Sequence, residues 1–166
     1  MKRNPVRITP RASHVAVLLL ASVILTAGSR QPEPLYGQGG ARISGSGISK
    51  VGRDTRKLTL SAQASAGPSS ATGTMQFIHN SPAGLSRFRG TVSCLSVTGP
   101  TIQVSGVIEK GETATGGLLD GKSYAFTINA GSTQSFSLPN VGDGIGPCAG
   151  GRTETVPVTE DGFKLQ

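Results

Sequence analysis

The stretch Gly90-Thr-Val-Ser-Cys-Leu-Ser-Val-Thr-Gly-Pro-Thr-Ile-Gln-Val-Ser-Gly-Val-Ile108 holds two apolar runs joined by the tetrapeptide Thr98-Gly-Pro-Thr101. In the second run Ile102, Val104, Gly106 and Ile108 recur at every other position, the period of a half-buried strand and not of a helix. A Gly-Pro pair between two such runs signals a hairpin. The first run, taken back to Phe88, offers Phe88, Val92 and Cys94 to one side and Leu95 and Val97 to the other. A central strand buried along part of both faces is therefore expected.

The same pattern extends outward in both directions. Thr55 to Ala66 sets Leu58, Leu60, Ala62, Ala64 and Ala66 against Lys57, Thr59, Ser61 and Gln63, and Thr74 to His79 puts Met75 and Phe77 together ahead of the loop Asn80-Ser-Pro-Ala-Gly84. Downstream, Tyr124, Phe126 and Ile128 alternate, as do Phe136 and Leu138, Val156 and Val158, then Phe163 and Leu165. Counting the run that starts at Ile43, these make about eight or nine strands with short turns between neighbours. Short turns require mostly antiparallel pairing, so residues 43–166 are read as a single all-β domain, an antiparallel β-sandwich or small barrel. With 24 glycines, five phenylalanines and no tryptophan, its core must be built largely from aliphatic side chains.

The N-terminus carries Lys2, Arg3, Arg7 and Arg11, followed by an apolar run from Val15 to Ala27 and the small residues Ala27-Gly28-Ser29. That is the order of a signal peptide, assigned to residues 1–29, and the run falls short of the roughly 18 to 20 residues of a membrane span. Residues 30–42, rich in Pro and Gly, read as a flexible leader. The expected location is secreted or extracytoplasmic, in a bacterial envelope, with no membrane insertion after signal cleavage. Cleavage leaves twelve basic against nine acidic residues, a formal +3 in place of +7. No Lys/Arg block is interleaved with aromatics, so a nucleic-acid partner is not expected. Arg53, Arg56 and Lys57, with Asp54 among them, read as a solvated turn.

Cys94 and Cys148 are an even pair in a compartment that permits oxidation, and a disulfide between them is expected. A hydrolytic site needs a base, and the mature part offers one histidine, His79, beside a predicted loop and without a Gly-x-Ser-x-Gly elbow at any serine. Asp143 lies in a Gly-rich loop and could give a calcium ion one carboxylate, where several oxygens are needed. Catalytic and metal residues are accordingly left unassigned, His79 and Asp143 are kept as weak candidates, and no cofactor is expected. The Gly-rich connections at 109–122 and 139–152 are the preferred binding loops.

The centre Gly90-Thr-Val-Ser-Cys-Leu-Ser-Val-Thr-Gly99 with Gly106-Val-Ile108 resembles a group of small exported bacterial all-β domains, akin to modules labelled post-COAP domains. Gly45-Ser-Gly47, Gly52-Arg-Asp-Thr-Arg56, Leu60-Ser-Ala-Gln63, Gly73-Thr-Met-Gln-Phe77 and the terminal Gly162-Phe-Lys-Leu165 extend the resemblance over about residues 43–166. It implies an extracellular β-sandwich-like module without assigned catalysis. The chain departs from the group at Val141-Gly-Asp-Gly-Ile-Gly-Pro-Cys148, where an acidic Asp-Asn-Gly-Glu turn would stand, so no ion-binding role is carried over. The function expected from all of this is a secreted non-catalytic domain binding an extracellular or envelope partner. The alternatives are a barrel carrying a small apolar ligand between Phe77, Phe126 and Ile128, and a secreted hydrolase built around His79.

Overall fold

The structure is a computed structural model and describes residues 40–65, 70–149 and 151–166. The expected signal peptide and most of the expected leader lie outside the described residues. Among the described residues ten strands form one antiparallel sheet: β1 (Arg42–Val51), β2 (Asp54–Ala64), β3 (Ala71–Ser81), β4 (Gly84–Thr98), β5 (Thr101–Glu112), β6 (Ser123–Asn129), β7 (Ser135–Ser137), β8 (Asn140–Gly142), β9 (Thr155–Pro157) and β10 (Glu160–Leu165). The strand order is β10-β1-β2-β3-β4-β5-β6-β7-β9, with β8 also paired to β6. β1 begins at Arg42, the last residue of the expected leader. Among the described residues no helix is long and apolar enough to cross a membrane.

From β1 to β6 each strand hairpins to the next, and the sheet curls into a half-barrel around one core. The alternation read from the sequence is the inward face: Leu58, Leu60, Ala62 and Ala64 on β2, Met75 and Phe77 on β3, Ile102, Val104 and Ile108 on β5 are all buried. Phe77, Phe88, Tyr124 and Phe126 form an aromatic knot across it, with Phe77 and Phe126 ring centres 5.5 Å apart. Glycines let the wall bend this tightly. At Gly106 a Cβ would run into the Thr91 carbonyl oxygen and the Tyr124 hydroxyl. The missing side chain leaves room for Tyr124 to donate a hydrogen bond to Thr91 O at 3.0 Å.

One expectation needs correction. Cys94 pairs with Ser105 while Val92 pairs with Gly106, so Ser93 is an extra residue, a β-bulge, on β4. One inserted residue reverses every following side chain. Leu95 and Val97 therefore rejoin Val92 on the inner face, opposite Val104 and Ile102, and Cys94 turns to the outer face. A second bulge on β5, at Glu109, lets Ile108 and Gly111 face inward together opposite Gly90 and Phe88.

The outward turn of Cys94 brings it to Cys148, and the two form a disulfide with a Cα–Cα distance of 5.4 Å. Cys148 N–H donates to Ser105 Oγ at 2.9 Å, so the end of the 139–152 connection lies over the outer face of β4 and β5. That connection was expected to be all loop. It begins with the short strand β8, which pairs Ser123–Ala125 and brings the count to ten.

Burial pushes the Tyr124 phenol well above the ordinary tyrosine range. The folded chain then keeps a proton that the unfolded chain sheds above pH ~10, so stability must fall as pH rises past that point, by about 1.4 kcal/mol per unit. Tyr124→Phe is expected to cost about 1 kcal/mol at neutral pH through the lost bond to Thr91, and to remove this component of the alkaline slope. Urea unfolding of both proteins from pH 8 to 12 checks it. Parallel slopes above pH 10 would contradict the assignment.

Candidate functional site

Two places gather polar side chains that the core does not require. The first is the inner end of the half-barrel. One step beyond the row Gly47, Leu58, Phe77, Phe88, the register continues Ser49, Arg56, His79, Ser86 across β1 to β4. Parity with Leu58 and Phe77 turns these side chains inward, and the His79 ring lies 6.4 Å from that of Phe77. Arg56 Nη2 donates to Asp54 Oδ2 at 3.0 Å, and His79 Nε2 lies 3.4 Å from the same oxygen. Arg56 was expected in a solvated turn, yet its side chain is only 13% exposed because its position continues the apolar stripe of β2. Arg53 and Lys57, on either side, are exposed. His79 stands within β3 and not in a loop.

The second place is the outer face of β3, β4 and β5. There Gln76, Arg89 and Lys110 stand side by side in register, within a cleft of about 450 Å³ that Arg87, Glu112 and Leu118 also line. Arg87 pairs with Glu112 at 3.0 Å. Arg89 and Lys110 have no ion-pair partner among the described residues, although they are direct cross-strand neighbours. Like charges so placed destabilise a sheet pair. Leu118, 75% exposed, forms an apolar lip. The loop that carries it is tied down: Gly117 N–H donates to Thr113 Oγ1, and Gly111 N–H to Asp120 Oδ1 at 2.8 Å.

Asp143 lies apart from both places; its side chain is 85% exposed and meets Lys122 Nζ at 3.3 Å. Among the described residues no three His, Cys, Asp or Glu side chains group as metal ligands. Neither Asp143 nor Cys148 is brought near His79 by any contact. Arg87, Arg89 and Lys110 were not singled out in the sequence, though the Arg-Phe-Arg alternation at 87–89 already put both arginines opposite the buried Phe88. No family model, no curated protein and no solved structure matches this chain.

Proposed function

We propose that the protein is a secreted, non-catalytic β-domain that binds an anionic extracellular or envelope partner through the outer cleft of β3, β4 and β5. The observation that carries this reading is the Arg89–Lys110 pair, two exposed cations held directly opposite each other with no ion-pair partner among the described residues, since Glu112 in the same cleft is paired to Arg87 and Asp120 accepts from Gly111 N–H. An arrangement that weakens the sheet is accounted for if an anion supplies the missing countercharge. Gln76 adds an amide beside the pair, and Leu118 an apolar contact at the rim.

The other readings have less support. Phe77 and Phe126 pack against each other and Ile128 is fully buried, so these three fill the interior where an apolar ligand would sit. His79 does meet an acid, Asp54, as a hydrolase would need. That carboxylate oxygen is shared with Arg56, however, and Ser49 in the same row is sealed from solvent.

Arg89→Glu/Lys110→Glu is expected to leave the melting temperature nearly unchanged, since both side chains are exposed, and to cut retention on an acidic polysaccharide or polyglutamate column at least tenfold. Wild-type retention should fall as salt is raised. Equal retention of the two proteins on both matrices overturns the proposal.

A further inference from the structure

We infer that the inner end of the half-barrel is a second binding site, which takes one oxygen of a small oxyanion, a carboxylate or a phosphate, between Arg56 and Ser49. Ser49 is fully buried, and its Oγ has no hydrogen-bond partner among the described residues. Arg56 is its direct cross-strand neighbour, and Arg56 Nε is likewise buried and without a partner. Two adjacent strands thus present an O–H and an N–H to the same inward row, each withdrawn from water and bonded to nothing.

Buried polar groups are nearly always paired, and this chain follows that rule elsewhere. Ser105 Oγ accepts from Cys148 N–H and Ser137 Oγ from Thr127 N–H. The exception at Ser49 and Arg56 is confined to one spot, and both atoms there can donate. An acceptor oxygen is the group that satisfies the two at once, and an ionised one forms the stronger, charge-assisted bond to a guanidinium.

The surroundings favour an anion. Asp54 holds the guanidinium through Nη2, which fixes Arg56 without using Nε. The side chains of His79 and Asp54 are 24% and 28% exposed, so an anion arriving past them must displace side chains that now seal Ser49. Lys50, Arg53, Arg56 and Lys57 stand on the β1–β2 hairpin against Asp54 there and Glu160 and Asp161 on β10, with Glu160 paired to Lys50. The positive groups outnumber the negative ones at this end. This site is independent of the outer cleft, which lies on the opposite face of the sheet.

The arginine Nε–H resonance reads the site directly. The mature protein, labelled with ¹⁵N, is titrated separately with acetate and inorganic phosphate in chloride-free buffer, and the Arg56 signal is assigned by its loss in Arg56→Lys. The Arg56 Nε–H signal is expected to shift saturably with one of the two anions, which tells a carboxylate from a phosphate ligand. Ser49→Ala should weaken that binding about tenfold, and Arg89→Glu/Lys110→Glu should leave it unchanged. A signal that neither anion moves, as expected if water alone bridges the two donors, overturns the inference. So does a shift of equal midpoint in Ser49→Ala, and because that variant removes one buried hydroxyl it remains usable if Arg56→Lys fails to fold.

Discussion

Cys148→Ser, or reduction of the wild-type disulfide, is expected to lower the unfolding free energy by about 4 kcal/mol, the loop-closure entropy returned to an unfolded chain crosslinked across 54 residues. Few single changes in this domain should cost more, because the thin core leaves little reserve. The loss should also be local in the folded state. Cys148 anchors the connection that crosses the outer face of β4 and β5, where Ser96, Ser105 and Ala125 are buried although they point away from the core. Freed of the bond, the connection stays paired to β6 through β8, but its far end keeps to β5 through the hydrogen bond from Cys148 N–H to Ser105 Oγ, so amide exchange should rise along residues 143–149 before it rises in β4. Urea unfolding with and without reductant measures the energy, and Cys94→Ala/Cys148→Ala under oxidising conditions should reproduce the reduced wild type. A loss below about 1 kcal/mol in both would rule out the crosslink as a main source of stability.

The disulfide also marks where the sequence could and could not be read. Its two cysteines were evident from their number, and the Ile102-Val104-Gly106-Ile108 alternation gave the correct face of β5. The face of Cys94 was misread. The string Val92-Ser-Cys-Leu-Ser-Val97 carries small or apolar residues at nearly every position, so its alternation is compatible with either parity, and the Ser93 bulge has no residue type that announces it. β8 was invisible for a related reason: Asn140-Val-Gly142 is too short and too Gly-rich to show a period. At the inner end the opposite holds. Arg56, Leu58 and Leu60 share one parity, so the burial of Arg56 was implied by the same stripe that located β2, and the charges around it hid that implication. Ser49 lies in the small-residue run Ser44-Gly-Ser-Gly-Ile-Ser49, where nothing sets it apart until the register puts it beside Arg56. Local alternation fixes the face of a side chain, while pairing between strands decides which side chains meet.

Pairing at the seam between the two ends of the sheet sets the second large effect. Phe163→Ala is expected to destabilise the domain by about 4 kcal/mol, within the range for an aromatic removed from a core. Phe163 is 3% exposed, and its ring meets that of Phe136 edge-on at 6.3 Å, which joins β10 to β7 across a gap that no continuous ladder spans. The ring lies where a side chain at Gly47 would be, with Val158 beside it. Backbone closure at the same point falls to one side chain. Gln134 accepts from Phe163 N–H through Oε1 at 2.7 Å and donates from Nε2 to Phe163 O at 2.8 Å, while its own carbonyl accepts from Val158 N–H. The amide thus takes the place of a strand residue, which a carboxylate cannot do, because it has no donor for Phe163 O. Gln134→Glu should therefore be destabilising despite its near-identical shape, though less so than Phe163→Ala, and deletion of Gly162–Gln166 should exceed both by removing most of the β10–β1 ladder as well. Thermal unfolding of the three variants gives the ranking. If the deletion melted with the wild type, β10 would not be closing the sheet, and the core between β1 and β7 would have to be held by the hairpins alone.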